Sequence, residues 1–308
     1  MLAPVETDVQ GGKLALFDIA ALVFCTIVWG TTWYAITLQL GAVDAVASVV
    51  YRFGLAAAVL FAWLAVRRER LWLSGREHLA VVGVGVCIFS VNYVFVYWAE
   101  ERIASAVAAV IFAAMAFINL VLFRVAFGER AAPAAWLAAA LGISGVAVLS
   151  WGEIRHAQFG AEAGVGVGLA LVGMIGAALG NAFAHRKVYA AIPVAASTAW
   201  AMLYGTLALA AFALITGRSW AFTPTPGYVG SLIYLSLAGS VAAFLFYFML
   251  ARRRGFTLAS YISALTPPIA MGMSALFEDK SWSALALGGV GLILAGQWLL
   301  LGARRPEA

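Results

Sequence analysis

The chain has 308 residues, of which 64% are hydrophobic and 11% are charged, and its formal net charge is +5. A soluble domain carries about 45–50% apolar and about 25% charged residues, so this composition excludes a water-soluble globular protein. The low charge and the 13% aromatic content also exclude an intrinsically disordered chain. The sequence therefore predicts a protein of the lipid bilayer, with no room for a separate soluble domain.

Ten apolar segments of spanning length follow one another along the chain, separated by charged or turn-rich stretches. The first thirteen residues are unlike a signal peptide, so we expect the first segment to be retained. The segments cover residues 14–38, 46–66, 79–99, 104–123, 133–151, 164–184, 195–216, 228–250, 256–277 and 283–302. Strands of a barrel would alternate apolar and polar residues, and the run 104–122 does not. We predict an all-α polytopic membrane protein with ten transmembrane helices.

The positions of Lys and Arg predict the orientation of these helices, because cytoplasmic loops retain positive charge. Alternate connections, counted with both termini, contain most of the 19 basic residues: Lys13, Arg67, Arg68, Arg70, Arg76, Arg124, Arg130, Arg186, Lys187, Arg252, Arg253, Arg254, Arg304 and Arg305. The opposite connections contain only Arg102, Arg155, Arg218 and Lys280. We predict that both termini are cytoplasmic. The basic net charge then reflects topology, and no nucleic-acid partner is expected.

The two halves of the chain match each other at a nearly constant offset. The matched pairs are Gly30 with Gly180, Tyr93 with Tyr247, Glu129 with Glu278 and Gly142 with Gly291, at offsets between 149 and 154. The sequence predicts five-helix repeats over residues 14–151 and 164–302, a connecting loop over 152–163, and cytoplasmic tails over 1–13 and 303–308. Because five is odd, the second repeat would be inverted, which is typical of transporters that alternate access. An ancient duplication without a transport role is the alternative.

The second half departs from the first after its third span. The Tyr and Glu of the matched pairs are 36 residues apart in the first half and 31 in the second. Pro267 and Pro268 lie in this shorter stretch, and adjacent prolines remove two backbone donors. We predict a kinked or broken ninth helix, serving either as a cavity wall or gate or as a static kink.

Four motifs carry a resemblance to a known family. They are WGTTW in the first span, YRFGLAAAVL at the second, and FGER and FEDK at the ends of the fourth and ninth. In order, spacing and duplication they resemble the drug/metabolite transporter superfamily, and within it the ten-helix EamA-type members, over about residues 14–302. The resemblance implies a secondary transporter of the bacterial cytoplasmic membrane that exports small molecules such as amino acids. Its partners would be that substrate and the bilayer, and both a monomer and a dimer stay open.

Ionisable residues are scarce inside the predicted spans, where only Asp18 and Arg52 are found away from the loops. We expect Arg52 to snorkel to the end of its span, and Glu129 and Glu278 to be structural. The first span lacks the buried Glu of small multidrug members of the superfamily, which disfavours proton-coupled cation export. All three lysines lie in tails or loops, which disfavours a phosphate substrate. The sequence therefore predicts uncoupled facilitated diffusion.

The remaining polar and aromatic side chains suit a small neutral or zwitterionic molecule with an apolar part. The candidate substrate-binding residues are Trp29, Ser90, Asn92, Tyr93, Tyr204, Ser240 and Ser263, and the candidates for a gate or helix break are Asn181, Pro267 and Pro268. Cys25 and Cys87 lie in apolar runs without His or acidic neighbours, so we expect no metal ion and no cofactor.

The sequence offers two alternatives to an amino-acid exporter. The run Gly142 to Gly145 matches the GxSG of rhomboid-type serine proteases, but all three His residues lie at span ends or in loops, so we predict that the protein is not an enzyme. A multidrug or nucleotide-sugar carrier on the same scaffold stays open, because fold does not fix the substrate.

Overall fold

The computed structural model describes residues 15–41, 43–129, 132–156 and 161–302, so the predicted tails lie outside the described residues. The described residues form helices and short connections, with no β-strand among them. The helices of the first half are α1 (Leu16–Thr37), α2 (Ala45–Arg67), α3 (Gly75–Val86), α4 (Tyr93–Glu100), α5 (Ser105–Ala113), α6 (Met115–Phe127) and α7 (Pro133–His156). Those of the second half are α8 (Ala161–His185), α9 (Lys187–Ala190), α10 (Val194–Ile215), α11 (Pro226–Ser236), α12 (Ala243–Arg254), α13 (Phe256–Ala259), α14 (Tyr261–Leu265), α15 (Pro267–Phe277) and α16 (Ala284–Gly302).

Seven helical stretches of the described chain are long and apolar enough to cross a membrane. They are Leu16–Thr37, Ala45–Arg67, Gly75–Glu100, Ser105–Phe127, Glu162–His185, Val194–Ile215 and Pro226–Arg254. Three further apolar helices are shorter: Pro133–Leu149, Tyr261–Phe277 and Ala284–Leu299. The protein is therefore an all-helical, multi-pass integral membrane protein, whereas the crossing of the membrane by all ten segments stays a prediction.

Local sequence signals set the starts of several helices. The Asp44 carboxylate accepts hydrogen bonds from the backbone N–H groups of Val46 and Ala47, at 2.8 and 3.3 Å, and caps α2. Ser74 and Glu77 form a reciprocal capping box at the start of α3. These caps satisfy backbone donors that a helix end would otherwise leave unbonded.

Two π-helical segments lie inside long helices, at Cys87–Asn92 between α3 and α4 and at Leu237–Ala242 between α11 and α12. Such segments are rare, and these two are 150 positions apart, the offset of Gly30 and Gly180. This register places Ala243 opposite Tyr93, one helical turn before Tyr247. The distance from Ala243 to Glu278 is then 35 residues, against 36 in the first half, so the shortening inferred from the Tyr247 pairing disappears.

The ninth apolar stretch is interrupted twice. A turn at Ser260 separates α13 from α14, and a bend at Thr266 separates α14 from α15. Pro267 and Pro268 are the first two residues of α15, where a missing backbone N–H costs little because the first turn of a helix has no intrahelical acceptor. The prolines therefore start a helix after the bend.

Side-chain contacts define two ends of the bundle. At one end, which we call the Asp18 end, Asp18 in the first turn of α1 accepts hydrogen bonds from Arg253 and Arg254 at the end of α12. At the other, the Glu278 end, Glu278 after α15 accepts hydrogen bonds from Ser105 at the start of α5. Both contacts join the first half of the chain to the second.

Small residues bring α7 and α16 into close contact. A Cβ added to Gly145 would lie 2.5 Å from the carbonyl oxygen of Gly289, and one added to Gly289 would lie 2.7 Å from that of Gly145. Glycine is required at such positions because the two backbones touch. Its neighbour Ser144 is exposed on the other side of α7.

We predict that Gly145→Ala lowers the melting temperature of the detergent-solubilised protein. The added methyl group meets rigid backbone, and overpacking of this kind costs about 1–3 kcal/mol. Gly291→Ala is the matched control, because no heavy atom lies within 4 Å of its added Cβ. Equal melting temperatures for the two variants would show that α7 and α16 do not pack as described.

Candidate functional site

A cavity lies in the middle of the bundle, between the first π-helical segment and helices α1, α4, α5, α6, α8, α12 and α14. The empty space there is ≈ 690 Å³, including space that is open to solvent. It is lined by Trp29, Thr32, Trp33, Ile36, Ile88, Asn92, Tyr93, Val96, Phe112, Met115, Ala177, Asn181, Phe244, Tyr247, Ser263 and Thr266. This lining is aromatic and polar, and it contains no Asp, Glu, Lys, Arg or His. Both halves of the chain contribute to it.

The structure brings together four of the seven predicted substrate-binding residues in this lining. They are Trp29, Asn92, Tyr93 and Ser263, and the gate candidate Asn181 joins them. Pro267 is buried and Pro268 is exposed, and neither lines the cavity, although the preceding Thr266 does.

The other three predicted residues lie outside the lining. Ser90 is buried within the first π-helical segment. The Tyr204 hydroxyl is 2.9 Å from Nδ1 of His78, and its ring stacks on another aromatic ring near the Asp18 end. Ser240 donates to the carbonyl oxygen of Leu235 at 2.8 Å and accepts a hydrogen bond from Arg52. The hydroxyl groups of Tyr204 and Ser240 therefore make contacts between helices.

Trp29 forms an aromatic wall of the cavity and is fixed by its own hydrogen bond. Its Nε1–H donates to the carbonyl oxygen of Gly239 in the second π-helical segment, at 3.1 Å. The ring lies 5.2 Å from that of Phe244 and 5.3 Å from that of Tyr247, centroid to centroid. Because the indole donor is already satisfied, Trp29 presents an apolar face to the cavity.

Two other polar atoms of the lining are buried without a partner among the described residues. They are Oδ1 of Asn92, an acceptor, and Nε1 of Trp33, a donor. Buried polar atoms are usually hydrogen-bonded, so an acceptor and a donor without a partner make these two lining residues the candidates for contact with a ligand. Trp33 was not predicted; the available signal was its place at the end of WGTTW, about one helical turn after Trp29.

The side of the cavity toward the Asp18 end is closed by hydrogen bonds between helices. The Tyr247 hydroxyl donates to Oδ1 of Asn181 at 3.1 Å, and Nδ2 of Asn181 lies 3.6 Å from Sδ of Met115. Beyond them, Nδ2 of Asn119 donates to Oγ of Ser260 at 2.7 Å. Opening this end would break contacts that join α12 to α8, α8 to α6, and α6 to the turn between α13 and α14.

Arg52 is buried, so the expectation that it snorkels to the end of its span is wrong. Only 1% of the residue is exposed, and its Nε–H donates to Oγ of Ser240 at 3.0 Å. The guanidinium lies over the rings of Tyr93 and Phe53, at 4.5 and 5.1 Å from their centroids. Arg52 therefore supports the cavity residue Tyr93 from behind.

Glu129 and Glu278 both make contacts that join helices. Nε2 of His185 lies 3.0 Å from Oε1 of Glu129, which joins the end of α8 to the end of α6. Glu278 accepts from the hydroxyl of Ser105 at 2.6 Å and from its backbone N–H at 3.4 Å, and so holds the first turn of α5.

The serine-protease alternative gains no support from the geometry. Ser144 is exposed on the side of α7 away from α16. His78 is engaged with Tyr204 and His185 with Glu129, while the side chain of His156 lies outside the described residues. Within the part of the chain that the structure describes, no group of three His, Cys, Asp or Glu residues could hold a metal ion.

Comparisons with known proteins agree with this architecture. The EamA-like transporter family matches residues 16–151 and 164–302. The uncharacterized inner membrane transporter YedA of Escherichia coli (strain K12) is 27% identical over 279 residues, which covers 89% of this chain and 87% of YedA. An uncharacterized transporter of Archaeoglobus fulgidus is 23% identical over 274 residues, 89% of this chain and 94% of its own length. A solved crystal structure with 19% sequence identity shares the fold, with a TM-score of 0.70 over 94% of this chain and 99% of that chain.

We predict that Arg52→Lys lowers the melting temperature of the purified protein by more than Arg218→Lys does. An ammonium group cannot keep both the bond to Ser240 and the planar stacking on Tyr93, and a hydrogen bond to a charged group contributes about 1.5–3 kcal/mol. Arg218 instead forms a partly exposed pair with Asp44 at 3.5 Å, which contributes about 0–1 kcal/mol. A smaller shift for Arg52→Lys than for the control would contradict the buried placement.

Proposed function

The chain belongs to the EamA-like transporter family, within the drug/metabolite transporter superfamily, and on that premise we propose that it exports amino acids from the cytoplasm. The substrates would include aromatic and other neutral amino acids. The protein would lie in the bacterial inner membrane, as the name of YedA states for that relative. The EamA-type proteins that the motifs resemble include amino-acid exporters. This resemblance is the reason for proposing amino acids as the substrate class.

The unpaired atoms of the cavity carry the proposal. An α-amino acid offers ammonium donors and carboxylate acceptors on one carbon atom. The acceptor Oδ1 of Asn92 suits the ammonium, and the donor Nε1 of Trp33 suits the carboxylate. The apolar side chain of the substrate would pack against Trp29 and Phe244. A substrate with a net charge would find no residue of opposite charge in the lining.

Alternating access is the mechanism that the organisation of the chain favours. The family matches the chain twice, and the two π-helical segments share the offset of the matched glycines. These observations support ten spans arranged as two inverted five-helix repeats, over residues 14–151 and 164–302, with both termini in the cytoplasm. The Asn181–Tyr247 bond would then be part of the cytoplasmic gate, and the Ser105–Glu278 bond part of the outer one.

Facilitated diffusion down the substrate gradient fits the uncharged lining, because no carboxylate or histidine of the described chain lines the cavity. Export of other small metabolites or drugs would use the same cavity. Counterflow measured across a panel of labelled amino acids, drugs and nucleotide sugars distinguishes these substrate classes.

We predict that proteoliposomes containing the protein take up phenylalanine or threonine without any ion gradient. Asn92→Ala removes the acceptor for the ammonium, and the loss of a charge-assisted hydrogen bond of about 1.5–3 kcal/mol weakens apparent affinity about 10- to 150-fold. Ser90→Ala is the matched control, because Ser90 is buried two residues away and outside the lining. Half-saturation concentrations from initial uptake rates give the comparison.

Two results would count against this function. Equal effects of Asn92→Ala and Ser90→Ala would remove Asn92 from the binding site. An absolute requirement for a proton gradient would exclude uncoupled diffusion.

The enzyme alternative has its own test. Ser144→Ala should leave uptake intact, whereas loss of uptake in this variant would support the enzyme alternative.

A further inference from the structure

A second buried site lies at the Glu278 end, outside the cavity lining. Glu100, the last residue of α4, is only 7% exposed. Both oxygens of its carboxyl group are shielded from solvent, and neither has a hydrogen-bond partner among the described residues. No other acidic side chain in the described chain has both oxygens buried and unpartnered in this way.

The surroundings of Glu100 are polar but do not satisfy it. Tyr97, one turn earlier, donates to Oε1 of Gln39 at 2.7 Å, and both of these residues are fully buried. The charges of Glu278 and Arg52 act on Glu100 from the turn after α15 and from α2. Nη1 of Arg52 is also buried without a partner. An unpaired acid and an unsatisfied guanidinium nitrogen are therefore present in the same region.

Four other charged side chains near this end form two ion pairs. Glu101 pairs with Arg102 at 3.1 Å, and Asp44 pairs with Arg218 at 3.5 Å. From α5 the Ser105 hydroxyl is taken by Glu278, and α8 presents Gly166 to the carbonyl oxygen of Ala99. No side chain of these groups is left to neutralise a carboxylate at Glu100.

An ionised carboxylate without a partner in a water-free interior costs several kcal/mol, and it would also face the negative charge of Glu278. A bound proton removes that charge. We propose that Glu100 is a proton-binding site, protonated while the Glu278 end is closed and ionised when that end opens. The inference rests on the proposed function only in assuming that this end opens and closes.

Proton release has a defined course. As the Ser105–Glu278 bond breaks and water reaches Glu100, the O–H bond of its carboxyl group breaks and the proton passes to that water. The electron pair stays on the carboxylate, which the entering water then solvates. Because Glu100 does not line the cavity, it exchanges its proton with the solution at one end only, and the substrate carries no proton with it.

The site makes the open state sensitive to pH. Protons bind the closed state preferentially, so lowering the pH favours closure and raising it favours opening. The neutral isostere in Glu100→Gln mimics the protonated residue and should hold the closed preference at every pH.

The first test measures phenylalanine counterflow in proteoliposomes with equal pH on both sides, so that the orientation of the protein is irrelevant. From about pH 5 to about pH 8, we expect the wild-type rate to rise about threefold or more, and the Glu100→Gln rate to stay low and flat. Glu101→Gln is the matched control, since Glu101 is an exposed neighbour with a partner, and it should keep the wild-type profile.

A second measurement needs no transported substrate. Ile103→Cys, in a Cys25→Ala and Cys87→Ala background, places a thiol at a position that is buried while this end is closed. Labelling by a membrane-impermeant maleimide should be faster with Glu100 than with Glu100→Gln at high pH, and equal at low pH. The same thiol is present in both proteins at each pH, so the pH dependence of its own reactivity affects both labelling rates equally.

The outcomes separate this proposal from the proposed function. If phenylalanine is not transported, the proposed substrate is wrong, and the labelling comparison alone tests the proton site. Labelling that is equal in the two proteins at every pH, or a wild-type pH profile in Glu100→Gln, would overturn the proton site. Uphill accumulation of phenylalanine that a pH difference drives and Glu100→Gln abolishes would replace gating with proton coupling.

Discussion

The absence of water from the membrane interior is the constraint on which the rest of the structure depends. A polar group inside the bundle is stabilised by a partner in the protein, because an unpaired one costs free energy. Trp29 meets this demand through Gly239, Arg52 through Ser240, and Asn181 through Tyr247. Each of these bonds joins different helices, so the same contacts that satisfy polar atoms also fix the walls and ends of the cavity.

The bundle divides into a static part and a part that surrounds the cavity. Between α7 and α16, Gly145 and Gly289 leave no room for a side chain, and such backbone contact has one arrangement. Around the cavity the contacts are single hydrogen bonds between side chains, as between Asn119 and Ser260. Contacts of the second kind can be exchanged for others as helices move, and they lie where alternation would require motion.

Hydrophobicity predicted the helices well, because twenty apolar residues in a row have few other uses. The contacts of polar side chains within the spans were harder to predict. Asn92 and Trp29 were recognisable as costly or bulky residues in apolar runs, but the sequence does not show that Ser240 is engaged by Arg52 across two helices. Glu100 looked like a loop residue beside Glu101 and Arg102, and only the packing of the helix ends reveals its burial. The pattern of apolar spans locates a side chain along the membrane normal. It does not show which neighbouring helix that side chain faces.

The π-helical segments also affect how the chain tolerates change. A π-helical turn contains one residue more than an α-helical turn, and one residue corresponds to a rotation of about 100° around the axis. Removing one residue from Cys87–Asn92 would therefore restore an α-helix and leave Tyr93 and the rest of α4 facing the cavity, because the π-helical segment accommodates one extra residue without turning the helix that follows it. Removing one residue from an α-helical part of the same span would instead turn every side chain beyond it by about 100°. The two π-helical segments are therefore the places in the third and eighth spans where the chain can lose one residue and keep its cavity-facing side chains.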